Sequence, residues 1–273
     1  MVSLPVLLSL ALLPFVAAQD HSLDIEAIEA HFTQSHIVPD FLTSFTPSAL
    51  LDLNYAGVGN VTPGQALTIK QVSAAPTLTV TPANSSVSFS GTYTLAMLDA
   101  ETVGSTLPDG VNRHWLVNGV EVTGSTVTIA GGNAITPYAG PGPAAGSGPH
   151  RYVVALYTQP STFTAPAAFS KPLGVSRMDF NAYVKDSGLG PLVAANYIDV
   201  EEGTATISIA PTSAVVTSTL LPASSSGSSG THAASTTGSS ASATGTAKSG
   251  APTLSKFSPL AAALAGLFIF IVA

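Results

Sequence analysis

Between Tyr138 and Gln159 the chain reads YAGPGPAAGSGPHRYVVALYTQ. A loop with four glycines, Gly140, Gly142, Gly146 and Gly148, runs into an apolar stretch, and His150, Arg151 and Tyr152 stand at the junction. Glycine lets backbone N–H groups come close to a ligand. Imidazole donates to anionic oxygen, and more strongly once protonated. His150 and Tyr152 are two apart, so on a strand they share a face. Loop amides and that face together offer a seat for a small anion. Tyr138 is expected to wall the loop side, and Gly140 and Gly142 to supply amide donors.

Asp99 and His114 extend the set. Asp99 closes the apolar run that starts at Tyr93, and His114 opens another through Val117. Strand ends are where loops gather residues from different strands. A carboxylate facing two imidazoles holds their tautomers and raises their basicity. It can also accept from an ammonium group, so a phosphate carrying an amine suits the set. Each residue has a plainer reading as well. A strand histidine can be a satisfied structural residue, Asp99 can cap a turn, and Trp115 reads as core. Arg151 is expected to pair with Asp99 or Glu101 rather than to bind ligand directly.

Hydrolytic chemistry finds less support. There is no GxSxG elbow, no HExxH and no cysteine. Ser147 lies near His150, but a Gly-Ser-Gly turn reads as mobile and a poor place to hold a nucleophile. The chain is therefore read as a non-enzyme with no cofactor and no metal.

These residues need strands to carry them. Ala66–Val72, Thr77–Val80, Tyr93–Leu98, His114–Val117, Val127–Ile129 and Asn196–Val200 have strand character, and Arg151–Tyr157 is apolar enough to be central. Val127–Ile129 is expected at an edge or as a hairpin partner. Ile25, Ile28 and Phe32 mark one face of a first helix, with Ser22 as its cap and Pro39 as its stop. A second helix is expected over Ser176–Ser187, with Ser176 and Asp179 at capping-box spacing and Gly188 as the stop. No βαβ alternation appears, which argues against a parallel nucleotide-binding sheet.

The loop resembles that of the phosphatidylethanolamine-binding protein family, whose pattern YxGxGPPxGxGxHRY precedes a hydrophobic strand. Here Pro143 is followed by Ala144 where the family often has a second proline. LAMLDAE, Leu95–Glu101, resembles the family strand ending in DPD, with Asp99 and Glu101 on the two acids and Thr102-Val103 in place of Ala-Pro. His114–Asn118 matches its HWLV strand, and Leu189–Asn196 its LGxPVAxN segment. The resemblance spans most of residues 40–200. It implies a mainly β fold, an antiparallel two-sheet sandwich of Greek-key type with a few peripheral helices and one anion pocket. Asp99, His114, Tyr138, Gly140, Gly142, His150 and Tyr152 would line that pocket, with Glu101, Pro143 and Arg151 in support.

The 273-residue chain carries 8 Lys+Arg against 15 Asp+Glu, and no basic patch suggests nucleic acid. Residues 1–18 read as a signal peptide, and 19–211 as the folded domain. Residues 212–249 form a Ser/Thr-rich stretch too poor in large apolar groups to fold. Residues 250–273 fit a GPI-anchor signal, with Ser249 as attachment candidate, which would place the protein on the outer leaflet or cell wall. Asn60 and Asn84 head N-glycosylation sequons.

Three functions follow. The first is a secreted, anchored module binding a phosphate-bearing small molecule or phospholipid head group. The second, implied by the resemblance, is inhibition of an extracellular serine carboxypeptidase, though a cleaved leader alters the N-terminal segment that such inhibitors use. The third is a cell-wall structural protein that has lost its ligand.

Overall fold

The computed structural model describes residues 20–220; the expected leader, most of the Ser/Thr-rich stretch and the expected anchor signal fall outside the described residues. Eleven strands form one curled sheet. They are β1 (Ala49–Tyr55), β2 (Gly59–Asn60), β3 (Gln65–Leu67), β4 (Thr77–Pro82), β5 (Thr92–Asp99), β6 (Val111–Thr123), β7 (Thr126–Thr128), β8 (Asn133–Thr136), β9 (His150–Gln159), β10 (Ser176–Met178) and β11 (Leu192–Val200). Among the described residues three α-helices accompany them, α1 (Ser22–Gln34), the short α2 (Ile37–Asp40) and α3 (Phe180–Ser187).

The sheet order is β2-β1-β4-β7-β6-β5-β9-β11-β3, with β8 and β10 also on β6. Every pairing is antiparallel except β3 with β11. The curl brings β1 back over β11, where the Asn196 side chain donates to the Leu51 carbonyl at 2.8 Å. Hydrogen bonding therefore runs continuously around the expected sandwich.

Alternation sorts the side chains into two cores. Leu51, Leu53, Leu95, Met97, Val154 and Leu156 fill the inside of the curl. Ala96, Leu98, Val153 and Ala155, from the opposite faces of the same central strands, pack against Ile28 and Phe32 of α1 and Phe180 and Tyr183 of α3. The central strands β5 and β9 are buried on both faces, and so they read as unbroken apolar runs.

Several boundaries differ from expectation, each for a local reason. Ser22 is the first residue of α1 rather than its cap, and its amide donates to the Asp20 carboxylate. The helix ends at Gln34, because His36 turns left-handed at φ 56°; Pro39 lies beyond, within α2. The Ala66–Val72 strand stops at Leu67. Gln71 folds back so that its side-chain carbonyl accepts from the Thr68 amide and hydroxyl. Ser176 belongs to β10, and Asp179 alone caps α3, accepting from the Ala182 amide at 2.9 Å. Gly188 ends α3 in the left-handed region, as expected. Val127 lies in β7, the hairpin partner of β6. His114–Val117 is part of the 13-residue β6.

Candidate functional site

Asp99 ends β5, and His150 opens β9 beside it. Cα pairing sets Asp99 directly opposite Tyr152. The His150 Nδ1–H donates to the Asp99 carboxylate, 3.0 Å from both oxygens. One of those oxygens also accepts the Glu101 amide at 2.7 Å. That amide is aimed by Glu101's own φ of 55°. Asp99 is 3 % exposed and His150 8 %, so this pair works largely out of water.

His114 reaches the same place through a bulge. Met97 pairs with Trp115 and Leu98 with Arg113, which leaves His114 as the extra residue of β6. A bulge re-aims a side chain that strict alternation would send to the other face. His114 and Trp115 consequently both look into the curl. The His114 ring meets Tyr152 edge-on at 5.2 Å, and the His150 ring lies 6.3 Å from Tyr152 on a near-parallel plane. Tyr152 is fully buried between the two histidines. Burial and the Asp99 carboxylate both push its phenol pKa upward, so it stays a neutral hydroxyl.

Both imidazoles are held by Nδ1. That of His114 faces the Ala139 carbonyl at 3.0 Å, and a carbonyl can only accept, so Nδ1 carries the hydrogen. The Nε2 of His114 has no partner among the described residues. The Nε2 of His150 lies 2.9 Å from the Ser147 hydroxyl oxygen.

The glycine loop lies over this cluster. Gly142 donates its amide to the Tyr152 hydroxyl at 3.3 Å. Gly140 passes so close to Val72 that a Cβ would come within 2.8 Å of its carbonyl oxygen. Tyr138 is turned against Trp115, ring centroids 5.1 Å apart, and its hydroxyl donates to the Val72 carbonyl. Pro143 is buried and Gly142 exposed.

The turn around Ser147 is held in place. Gly146 donates to the Glu202 carbonyl at 2.8 Å and accepts from the Thr206 amide and hydroxyl. Gly148, at φ +90°, lies against Ile209. Residues 202–209 follow β11 and strap the loop down.

Arg151 points away from the cluster, to the other face of β9. Its guanidinium pairs with Asp40 at 3.1 Å, not with Asp99 or Glu101. It also donates to the backbone carbonyls of Ser35, Ala100, Glu101 and Thr102. Asp40 is the acid in reach, because Asp99 faces the opposite side of the sheet. Glu101 pairs with Arg177 instead. The carbonyls fixed by Arg151 belong to the turn that follows Asp99, so Arg151 braces the site from behind. On the same face Asp199 keeps one buried oxygen without a partner. Burial pushes its pKa up to about 7, against the pull of Arg151. With His31, Arg151 and Tyr197 it lines a cavity of about 320 Å³ that residues 209–215 border.

A family model described as phosphatidylethanolamine-binding protein matches residues 43–198, more than half of the chain. The chain belongs to the phosphatidylethanolamine-binding protein family. Among relatives, CEN-like protein 1 of Nicotiana tabacum is 31% identical over 175 residues, which are 63% of this chain and 91% of that protein. The carboxypeptidase Y inhibitor of Saccharomyces cerevisiae is 28% identical, over 65% of this chain and 94% of the relative. A crystal structure of carboxypeptidase Y inhibitor complexed with the cognate proteinase superposes with a TM-score of 0.56 at 23% identity, covering 65% of this chain and 96% of that one. This last likeness supports the fold.

The structure thus gathers Asp99, His114, His150 and Tyr152 into one contiguous cluster with Gly142 above it. Tyr138 and Gly140 brace the loop from the Val72 side. Sequence reasoning missed the bulge, the Asp40 pairing and the strap. Asn60 and Asn84 are both exposed. Among the described residues no cluster of three His, Cys, Asp or Glu is placed to hold a metal, and no helix is long and apolar enough to cross a membrane.

Proposed function

We propose that this phosphatidylethanolamine-binding protein family member seats a small anion, a phosphate or phospholipid head group, between His114 and His150 beneath the Gly140–Gly148 loop. The reading extends to an extracellular domain carried on an anchored Ser/Thr-rich stalk. The observation that carries it is the unpartnered Nε2 of His114 beside the buried Asp99–His150 pair. Both Nδ1 atoms are committed to acceptors, so a neutral ring shows an anion only a lone pair at Nε2. Protonation turns each Nε2 into a donor. Asp99 offsets the added charge and can accept from an ammonium group on the same ligand.

The test is titration of the purified protein with inorganic phosphate and with phosphoethanolamine, following histidine ring resonances. Saturable shifts of two rings support the site. Flat titrations of both rings overturn it and favour a structural wall protein. Release of the protein from cells by a GPI-cleaving phospholipase tests the anchor.

A second reading rests on the inhibitor relative, which this chain matches along 94% of its length. In that reading the surface around the loop engages a serine carboxypeptidase. Inhibition of carboxypeptidase Y in a purified assay tests it, and no inhibition at micromolar protein removes it.

A further inference from the structure

The Ser147 hydroxyl, the His150 imidazole and the Asp99 carboxylate stand in line, 2.9 Å from Oγ to Nε2 and 3.0 Å from Nδ1 to both carboxylate oxygens. We propose that these three residues form a nucleophile, a base and an orienting carboxylate that cleave small carboxylic esters, with Ser147 taking the acyl group.

Three observations carry this beyond coincidence. First, the tautomer is right. Asp99 can only accept from Nδ1–H, so a neutral His150 presents its lone pair at Nε2, facing Oγ. Second, the serine is fixed. Its own amide donates to the Ala144 carbonyl at 3.1 Å, Gly146 is bonded on both sides to residues 202–206, and Gly148 packs on Ile209. The Gly-Ser-Gly turn lacks the mobility its composition suggests. Third, the Gly148 amide directly after Ser147 has no hydrogen-bond partner among the described residues. The amide that follows a nucleophile is a common donor to the oxyanion.

The same neighbourhood sets the substrate class. The Gly146 and Ser147 amides are already used, and the Gly142 amide is turned to Tyr152. Of the amides of Gly146, Ser147 and Gly148, only that of Gly148 is left for the oxyanion, which suits an ester with a good leaving group better than a peptide bond. The Ser147 proton also has a rival acceptor in the Ala144 carbonyl, 2.6 Å from Oγ. When His150 is protonated, its Nε2–H donates to Oγ and the serine proton turns to Ala144, so the nucleophile is inactive. When His150 is neutral, the serine proton can turn to Nε2.

The steps balance without a cofactor. Oγ attacks the carbonyl carbon as its proton passes to Nε2, and the π pair moves onto the carbonyl oxygen near Gly148. The tetrahedral adduct collapses, the C–O bond to the alcohol breaks, and the leaving oxygen takes the proton from Nε2. Water repeats the sequence on the acyl-serine, releasing the acid and restoring Ser147. Asp99 touches no reacting atom; it is a positioning residue.

The experiment treats the purified full-length protein with a fluorophosphonate probe and with p-nitrophenyl acetate. The expected results are a covalent adduct mapped by mass spectrometry to Ser147 and ester turnover. Both should fall at least ~100-fold in Ser147→Ala and in His150→Gln. Asp99→Asn should slow labelling and change its dependence on pH, a response that a purely structural carboxylate would not give. Ser147→Ala should still bind inorganic phosphate, which separates failure here from failure of the binding site. An unlabelled Ser147 in a protein that binds phosphate, or turnover undiminished in Ser147→Ala, overturns the proposal.

Discussion

The two faces of β9 hold adjacent residues in opposite conditions. On one face His150 and Tyr152 sit in a cluster with valence to spare: the Nε2 of His114 is open and that of His150 meets only a serine hydroxyl. On the other, Arg151 has an ion pair and four carbonyl acceptors. A buried charge must be fully partnered to be tolerated. A ligand site must keep donors in reserve. Alternation along one strand supplies both, and the saturated face holds still the turn on which the open face depends.

The contrast is tested most severely at Arg151. Arg151→Ala strands Asp40 and frees four carbonyls, and should cost about 3–5 kcal/mol in chemical denaturation. Loss of phosphate binding should follow from the slackened Asp99–Thr102 turn. If the variant were as stable as the parent, the bracing role would fail.

His114→Gln should do the reverse. An amide can still donate to Ala139, so stability should change little. Phosphate affinity, read by calorimetry, should fall by about 1.5–3 kcal/mol, the range for a hydrogen bond to a charged group. Unchanged phosphate affinity in His114→Gln would show that this ring does not contact the anion.

Asp199→Asn probes an unpartnered carboxylate oxygen on the saturated face. The native pKa of about 7 lies above the ordinary 3.8, so the folded protein holds this proton more firmly than the unfolded chain. Stability should therefore decline as pH rises from about 4 to 7. Replacement by Asn should remove that decline, raising stability at pH 8 by ~1–3 kcal/mol and leaving it unchanged near pH 3. Thermal unfolding at the two pH values decides it; a destabilised variant at pH 8 would mean that Arg151 needs this charge.

Much of this was legible where the signal is local. The glycine loop, the apolar run of β9, the helical face of Ile25, Ile28 and Phe32 and the stop at Gly188 each depend on neighbours within one turn or strand. What escaped depends on distance or on counting. Arg151 and Asp40 are far apart in the chain and meet only after α2 docks. The strap at 202–209 has no regular structure and so no periodicity to reveal it. Ser176 and Asp179 offered two capping residues, and β10 took one of them when Arg113 claimed the Ser176 hydroxyl. His114 was named for its type, but no spacing announced the bulge that turns it inward.

That single surplus residue makes the site a matter of register as much as of residue type. A deletion at position 114 would heal the β5–β6 ladder between Met97–Trp115 and Leu98–Arg113 and leave only the second break, at Gly119. The same deletion would remove the open imidazole. Under the proposed anion-binding role, regularity and recognition would be alternatives at this point of β6, so a search for relatives with the same site should ask first whether the extra residue is there.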